Sequence, residues 1–235
     1  MPVITSLVGA WELNEASGNA VDSHGSNTLT DQNTVGASGI ARDFEADNAE
    51  YFSHASNSDL QTGDIDFSVE IWMRAESFTE TNLISKDDDG AREFAIDLAS
   101  SIPRIYIDGG TIVTSYGASL STATDYQIIG WHDSVNNQLG IVVNDASPAS
   151  QGTGGSAPTA NASAFRIGTS QITGFVGYFD GLLWRARFWK KVLTTTERTW
   201  LYNSGSGRSY AAIVAESGGA STTDGKLIIA PVGFA

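Results

Sequence analysis

The side chains best suited to chemistry in this sequence are aromatic rings. Six tryptophans and seven tyrosines are present, and an indole or phenol can lay its face on a sugar while its polar tip hydrogen-bonds. Trp11, Trp72, Trp184 and Trp200 fall in strand or helix patterns that bury large rings. Tyr106, Tyr116, Trp131 and Tyr178 are the candidates for ligand contact, with sheet packing as the alternative for each. Reactive constellations are harder to find. His24, His54 and His132 are far apart and lack the paired spacing of zinc ligands. Cysteine is absent, which removes thiolate nucleophiles, disulfides and Cys-ligated metals. Neither a Gly-x-Ser-x-Gly elbow nor a Gly-x-x-x-x-Gly-Lys-Ser/Thr phosphate loop occurs. Asp87-Asp88-Asp89-Gly90 gathers carboxylates without the alternating spacing of an EF-hand loop, and reads as a solvated hairpin turn.

The elements that must position these residues are strands. Apolar residues alternate with period two in Arg104-Ile105-Tyr106-Ile107-Asp108 and in Thr111 to Tyr116, joined by Gly109-Gly110 as a tight hairpin. A second antiparallel pair, Tyr126 to Trp131 and Leu139 to Val143, flanks a loop whose Asp133, Asn136 and Asn137 can bond their own backbone. Further strands are expected at Leu7–Leu13, Ala41–Phe44, Tyr51–His54, Phe67–Arg74, Leu83–Lys86, Phe94–Leu98, Phe165–Gly168 and Phe175–Trp189. Residues 146–164 are Ser, Gly, Ala, Thr and Pro-rich and read as a long surface loop. One helix is signalled by the capping box Thr194-Thr-Thr-Glu197, with Asn203 to Gly207 ending it.

With 235 residues and 41% hydrophobic side chains, the chain can bury one substantial core. Thirteen basic against 27 acidic residues give a net charge of -14, a field that repels phosphate backbones and anionic lipid, so neither nucleic acid nor membrane is expected as a partner. The N-terminus lacks the basic and apolar regions of a signal peptide. The expected organisation is a domain over 1–207 and a C-terminal extension over 208–235. The apolar end of that extension, Leu227, Ile228, Ile229, Val232 and Phe234, is read as an assembly arm that adds to a neighbouring subunit.

In order along the chain, Gly36 to Phe44, Tyr51-Phe52, Asp66 to Trp72, Leu83 to Lys86, Asp180-Gly181 through Phe188-Trp189, and Lys190 to Asn203 resemble the laminin-G-like, concanavalin A-like jelly roll that includes the pentraxins. The resemblance implies an all-β, two-sheet antiparallel sandwich of about six or seven strands per sheet, with one short helix near the C-terminal end. Many such domains bind calcium at one rim, and the resemblance places the candidate oxygen ligands at Asp47, Asn48 and Asp180, with Asp87 to Asp89 in a separate loop. Where the family usually has a further aspartate this chain has Trp184, which cannot coordinate a hard cation. Some relatives are β-glucan hydrolases with paired carboxylates on one strand. The nearest match here is Asp64, Asp66 and Glu70, which share a strand face but depart from that pattern in type and spacing, and read as an exposed acidic face.

The resemblance to bare modules of this kind in tailed-bacteriophage structural proteins implies a non-catalytic structural protein. It would be a capsid decoration protein on the virion surface, made in the host cytoplasm, that forms a homo-oligomer and binds a capsid or other virion protein. The alternatives are a lectin-like module that binds a host glycan, with calcium admitted though no cofactor is required, and a β-glucan hydrolase.

Overall fold

A computed structural model describes residues 3–78, 80–88, 92–107, 112–172 and 177–218. The described residues form β1 (Leu7–Trp11), β2 (Thr30–Gln32), β3 (Gly36–Ser38), β4 (Ala41–Phe44), β5 (Tyr51–His54), β6 (Phe67–Ala75), β7 (Thr81–Lys86), β8 (Phe94–Ala99), β9 (Ile102–Ile107), β10 (Ile112–Ser115), β11 (Tyr126–Asp133), β12 (Gln138–Val143), β13 (Ala149–Gly152), β14 (Phe165–Ile167) and β15 (Gly181–Trp189), followed by α1 (Thr195–Tyr202) and α2 (Tyr210–Gly218). One sheet runs β13-β12-β11-β6-β15-β4-β3, with β1 paired to β15 beyond β4; the other runs β10-β9-β8-β7-β14-β5-β2. Every ladder between these strands is antiparallel. This is the two-sheet jelly-roll sandwich that the alternating pattern and the resemblance imply.

Period two decides which side chains fill the space between the sheets. Phe67, Val69 and Ile71 of β6 meet Phe94 and Ile96 of β8, Ile105 and Ile107 of β9, and Phe165 and Ile167 of β14 in one continuous core. Rings from both sheets converge there: neighbouring centroids among Phe67, Phe94, Phe165 and Phe188 lie 5.1–6.4 Å apart. In β15 the alternation breaks at Arg185, whose left-handed φ of 52° forms a bulge between Trp184 and Arg187. The extra residue keeps Leu183, Ala186 and Phe188 in the core while Arg187 and Trp189 point outward.

The outer face of the eight-stranded sheet is covered, which corrects the expected exposure of its acidic strand. Glu70 is fully buried and receives hydrogen bonds from Arg187 Nη1 (2.9 Å), Gln127 Nε2 (2.6 Å) and Trp72 Nε1 (3.1 Å). Above the same sheet, Val3, Leu7, Trp131, Trp189, Leu193, Leu201 and Ile213 form a second apolar cluster. Helix α1 belongs to this layer and is capped as expected: Thr194 Oγ1 accepts from the Glu197 N–H at 3.2 Å and Glu197 Oε2 from the Thr194 N–H at 2.9 Å. Helix α2 lies at the start of the extension, where the sequence suggested only a tail. Ser209 Oγ accepts the Ala212 N–H at 3.3 Å, and Ile213 is buried in the second cluster. Arg187 Nη2 donates to the Arg208 carbonyl, and Glu12 accepts the Tyr210 N–H at 3.1 Å. The proposed arm residues Leu227, Ile228, Ile229, Val232 and Phe234 lie outside the described residues, as does the Gly109-Gly110 turn.

Three short strands were not expected. β2, β3 and β13 read Thr-Asp-Gln, Gly-Ala-Ser and Ala-Ser-Gln-Gly, polar or small throughout. They end their sheets, where a strand needs only one paired side and little apolar patterning.

Candidate functional site

The outer face of the seven-stranded sheet carries a built polar pocket. Because Ile96 and Ile105 point into the core, their neighbours Asp97, Arg104 and Tyr106 point outward. Asp97 and Arg104 are directly opposed across β8 and β9. The Arg104 guanidinium donates from Nε to Asp97 Oδ1 at 2.9 Å, from Nη2 to Asp97 Oδ2, and from Nη2 to Glu80 Oε1 at 3.1 Å. Burial raises the Asp97 carboxyl above the usual range, against the opposing pull of Arg104. Together with Asn82, Arg92, Val113 and Ile172, these residues line a cavity of about 260 Å³.

Behind the pocket wall lies a buried acid. Tyr106 donates its hydroxyl to Asp87 Oδ2 and sits 3.1 Å from Asn82 Oδ1. Asp87 is fully buried, and its Oδ1 has no hydrogen-bond partner among the described residues. Burial pushes its carboxyl up to about 6, although the Tyr106 hydroxyl, the Arg92 charge and the Ser85 hydroxyl oppose this. Burial, together with the neighbouring Asp87, raises the Tyr106 phenol, so it stays protonated and serves as a donor.

Residues 168–172 lie over the same sheet face and supply a further part of the wall. Gly168, at φ 92°, turns the chain out of β14. The Thr169 carbonyl accepts from Ser85 Oγ at 2.8 Å, and Thr81 Oγ1 and Thr169 Oγ1 both donate to the Gly177 carbonyl. Asp88 and Gln171 form a parallel bridge, which brings Ile172 over the cavity.

Of the four aromatic candidates, Tyr106 lies in this pocket. Tyr178 is on the same sheet face, packed 6.1 Å from Tyr51, whose ring in turn carries the Arg166 guanidinium at 5.0 Å. Tyr116 packs against the main core. Trp131 is only 8% exposed; it is buried in the second cluster beneath Arg198, whose guanidinium lies 4.6 Å from the ring centroid. Gly140 stands opposite Trp131 in the ladder; a side chain there would meet the indole at 2.2 Å, so glycine makes the room for it. Trp131 is therefore a packing residue.

Two of the three proposed rim ligands are engaged with neighbours. Asn48 Nδ2 donates to Glu50 Oε1 at 3.1 Å, Ser77 Oγ donates to Asp180 Oδ2 at 2.6 Å, and Asp47 is exposed in a short 3-10 turn. Desolvation and the carboxylates of Asp43, Asp180, Glu76 and Glu50 raise Glu45 beside them. Among the described residues no three acidic or histidine side chains are arranged to hold a metal ion. Asp87 is buried rather than part of a solvated turn, Asp88 is held by its bridge to Gln171, and Asp89 lies outside the described residues. Asp66 accepts from the Ser134 N–H and hydroxyl at 2.9 and 2.8 Å, and Glu70 is closed off beneath Arg187 and Trp72. The sequence reasoning missed Asn82, Arg92, Asp97 and Arg104. The alternation around Ile105 orients Arg104 and Tyr106 outward, but their partners come from other strands.

Comparison with known proteins agrees with this architecture. The binding domain of Paraclostridial Mosquitocidal Protein 1 superposes with a TM-score of 0.65 at 14% identity, covering 86% of this chain and 52% of that one. Trypanosoma rangeli sialidase in complex with sialic acid superposes with a TM-score of 0.66 at 12% identity, covering 87% of this chain and 34% of that one. The chain thus spans about half of the first and a third of the second, and likeness at this identity establishes a shared fold. No curated protein matches the chain in sequence. A family model described as the concanavalin A-like lectin/glucanases superfamily matches residues 46–197. That span holds all eight residues lining the pocket; the chain belongs to the concanavalin A-like lectin/glucanases superfamily.

Proposed function

We infer that the protein is a non-catalytic glycan-binding module and that the pocket beside Tyr106 takes the sugar. The observation that carries this reading is the composition of the pocket: a phenol oxygen, an amide and two guanidinium groups stand beside the apolar side chains of Val113 and Ile172. A pyranose presents that mixture, with hydroxyls at its rim and C–H groups on its faces. The fold relatives support the class, since one is a protein's binding domain and another a sialidase. The reading assigns no hydrolysis, because Asp97 and Glu80 are both committed to Arg104, and it requires no metal. The virion-assembly reading rests on Leu227 to Phe234, outside the described residues, so the pocket favours glycan recognition.

A glycan array probed with the full chain tests this. Retention of a defined set of oligosaccharides, lost in Val113→Arg and kept in Ile40→Arg on a remote exposed site (69% exposed), is the expected result. No retained glycan overturns the function, and binding unaffected by Val113→Arg overturns the site.

A further inference from the structure

The two guanidinium groups in the pocket differ in one respect that selects among sugars. Arg104 is charge-neutralised: two carboxylates and three hydrogen bonds fix it. Arg92, a partly exposed lining residue, has no hydrogen bond or ion pair among the described residues. Its charge reaches Asp87 and Tyr106 only through space. The pocket therefore divides into a charge-paired half, in which Asp97 and Glu80 neutralise Arg104, and a half formed by Arg92, Asn82 and the Tyr106 edge, in which the cation has no such pair among the described residues.

An unmatched guanidinium in a concave, partly desolvated site is a fork of N–H donors awaiting two coplanar oxygens. A sugar hydroxyl offers one neutral acceptor, whereas a sugar carboxylate offers two charged ones in the matching geometry. Resting on the glycan-binding reading above, we propose that the pocket selects a carboxylate-bearing sugar, of the hexuronic-acid class, with the ligand carboxylate on Arg92. The ring would lie against Val113 and Ile172, with its hydroxyls toward Asn82 and Tyr106. The chain's net charge of -14 opposes acidic glycans at long range, so the selectivity has to come from this short-range pair.

Oligogalacturonate and oligoalginate, each beside its carboxyl-reduced counterpart, are titrated calorimetrically into the full-length wild type, Arg92→Gln and Arg92→Lys. Thermal melts confirm that each variant is folded. Wild type is expected to bind at least one acidic oligosaccharide and to lose roughly 10- to 100-fold in affinity on carboxyl reduction. Arg92→Gln should lose a similar factor for the acidic form and none for the reduced form. Arg92→Lys, which keeps the charge but not the fork, should fall between. Equal affinity for acidic and reduced forms, or for wild type and Arg92→Gln, overturns the proposal while leaving the glycan-binding reading intact. So does retention of neutral glycans alone on the array. Absence of any glycan binding overturns both.

Discussion

Tyr106 donates its hydroxyl to the buried carboxylate of Asp87, joining the wall of the pocket to a fully buried acid. Asp87 is held up to about 6 from 3.8, chiefly by burial, with Tyr106, Arg92 and Ser85 opposing and Asp97 reinforcing. The folded state therefore binds this proton more tightly than the unfolded chain does. The stability it contributes is complete below pH 3.8 and is lost as pH rises through about 6, with about 3 kcal/mol as the upper bound. Asp87→Asn should remove this dependence. Urea melts at pH 4 and pH 7 should show the variant gaining on wild type by up to about 3 kcal/mol between the two; a pH-independent difference would sink the assignment.

Lys86 and Glu93 form a fully buried ion pair at 3.0 Å that holds two loops. Glu93 accepts from Thr62 Oγ1 and the Asn161 N–H, while Lys86 donates to the carbonyls of Asn161 and Ser163. Lys86→Met leaves an uncompensated buried carboxylate and should cost about 3–5 kcal/mol. Adding Glu93→Gln should restore part of that loss in denaturant melts.

Thr194 closes both bonds of the α1 capping box, so Thr194→Ala should destabilise the protein by about 1 kcal/mol. Glu197 shares the box. Burial would raise its carboxyl, but Lys191 and Thr194 outweigh that and hold it below its ordinary value. Its contribution is therefore present above pH 4.5 and fades as the pH falls below it. The cost of Thr194→Ala should accordingly shrink at pH 3 relative to pH 7, as followed by thermal melts.

Calcium should leave the protein unchanged. A rim site filled at a hundred times its Kd would stabilise the fold by about 2.7 kcal/mol, roughly 5–10 °C in Tm for a chain of this size. Melts in saturating calcium and in chelator are expected to coincide; a shift of that size would restore Asp47, Asn48 and Asp180 as a metal site.

The strands that cross the core were legible because burial on one face imposes period two, as in β9, β11 and β12. The alternation also placed Glu70 correctly on the face opposite Val69 and Ile71. It could not show that α1, α2, the segment from Val3 to Leu7 and Arg187 would cover that face, because these come from distant parts of the chain. For Trp131 the sequence left ligand contact and packing both open for the same reason: Arg198 lies over it from 67 positions away in the sequence. Tyr106 was legible as an outward ring, but its pocket was not. Asn82, Asp87, Arg92, Asp97 and Arg104 become neighbours only through the order β9-β8-β7, which no local spacing encodes.

The most direct measurement is a crystal structure of the protein with the tightest-binding array oligosaccharide. The account predicts sugar density between Tyr106, Asn82, Val113 and Ile172, with a ligand oxygen within hydrogen-bond distance of Arg92. Sugar bound at the Asp47–Asp180 rim or elsewhere, with the Tyr106 pocket holding only solvent, would contradict it.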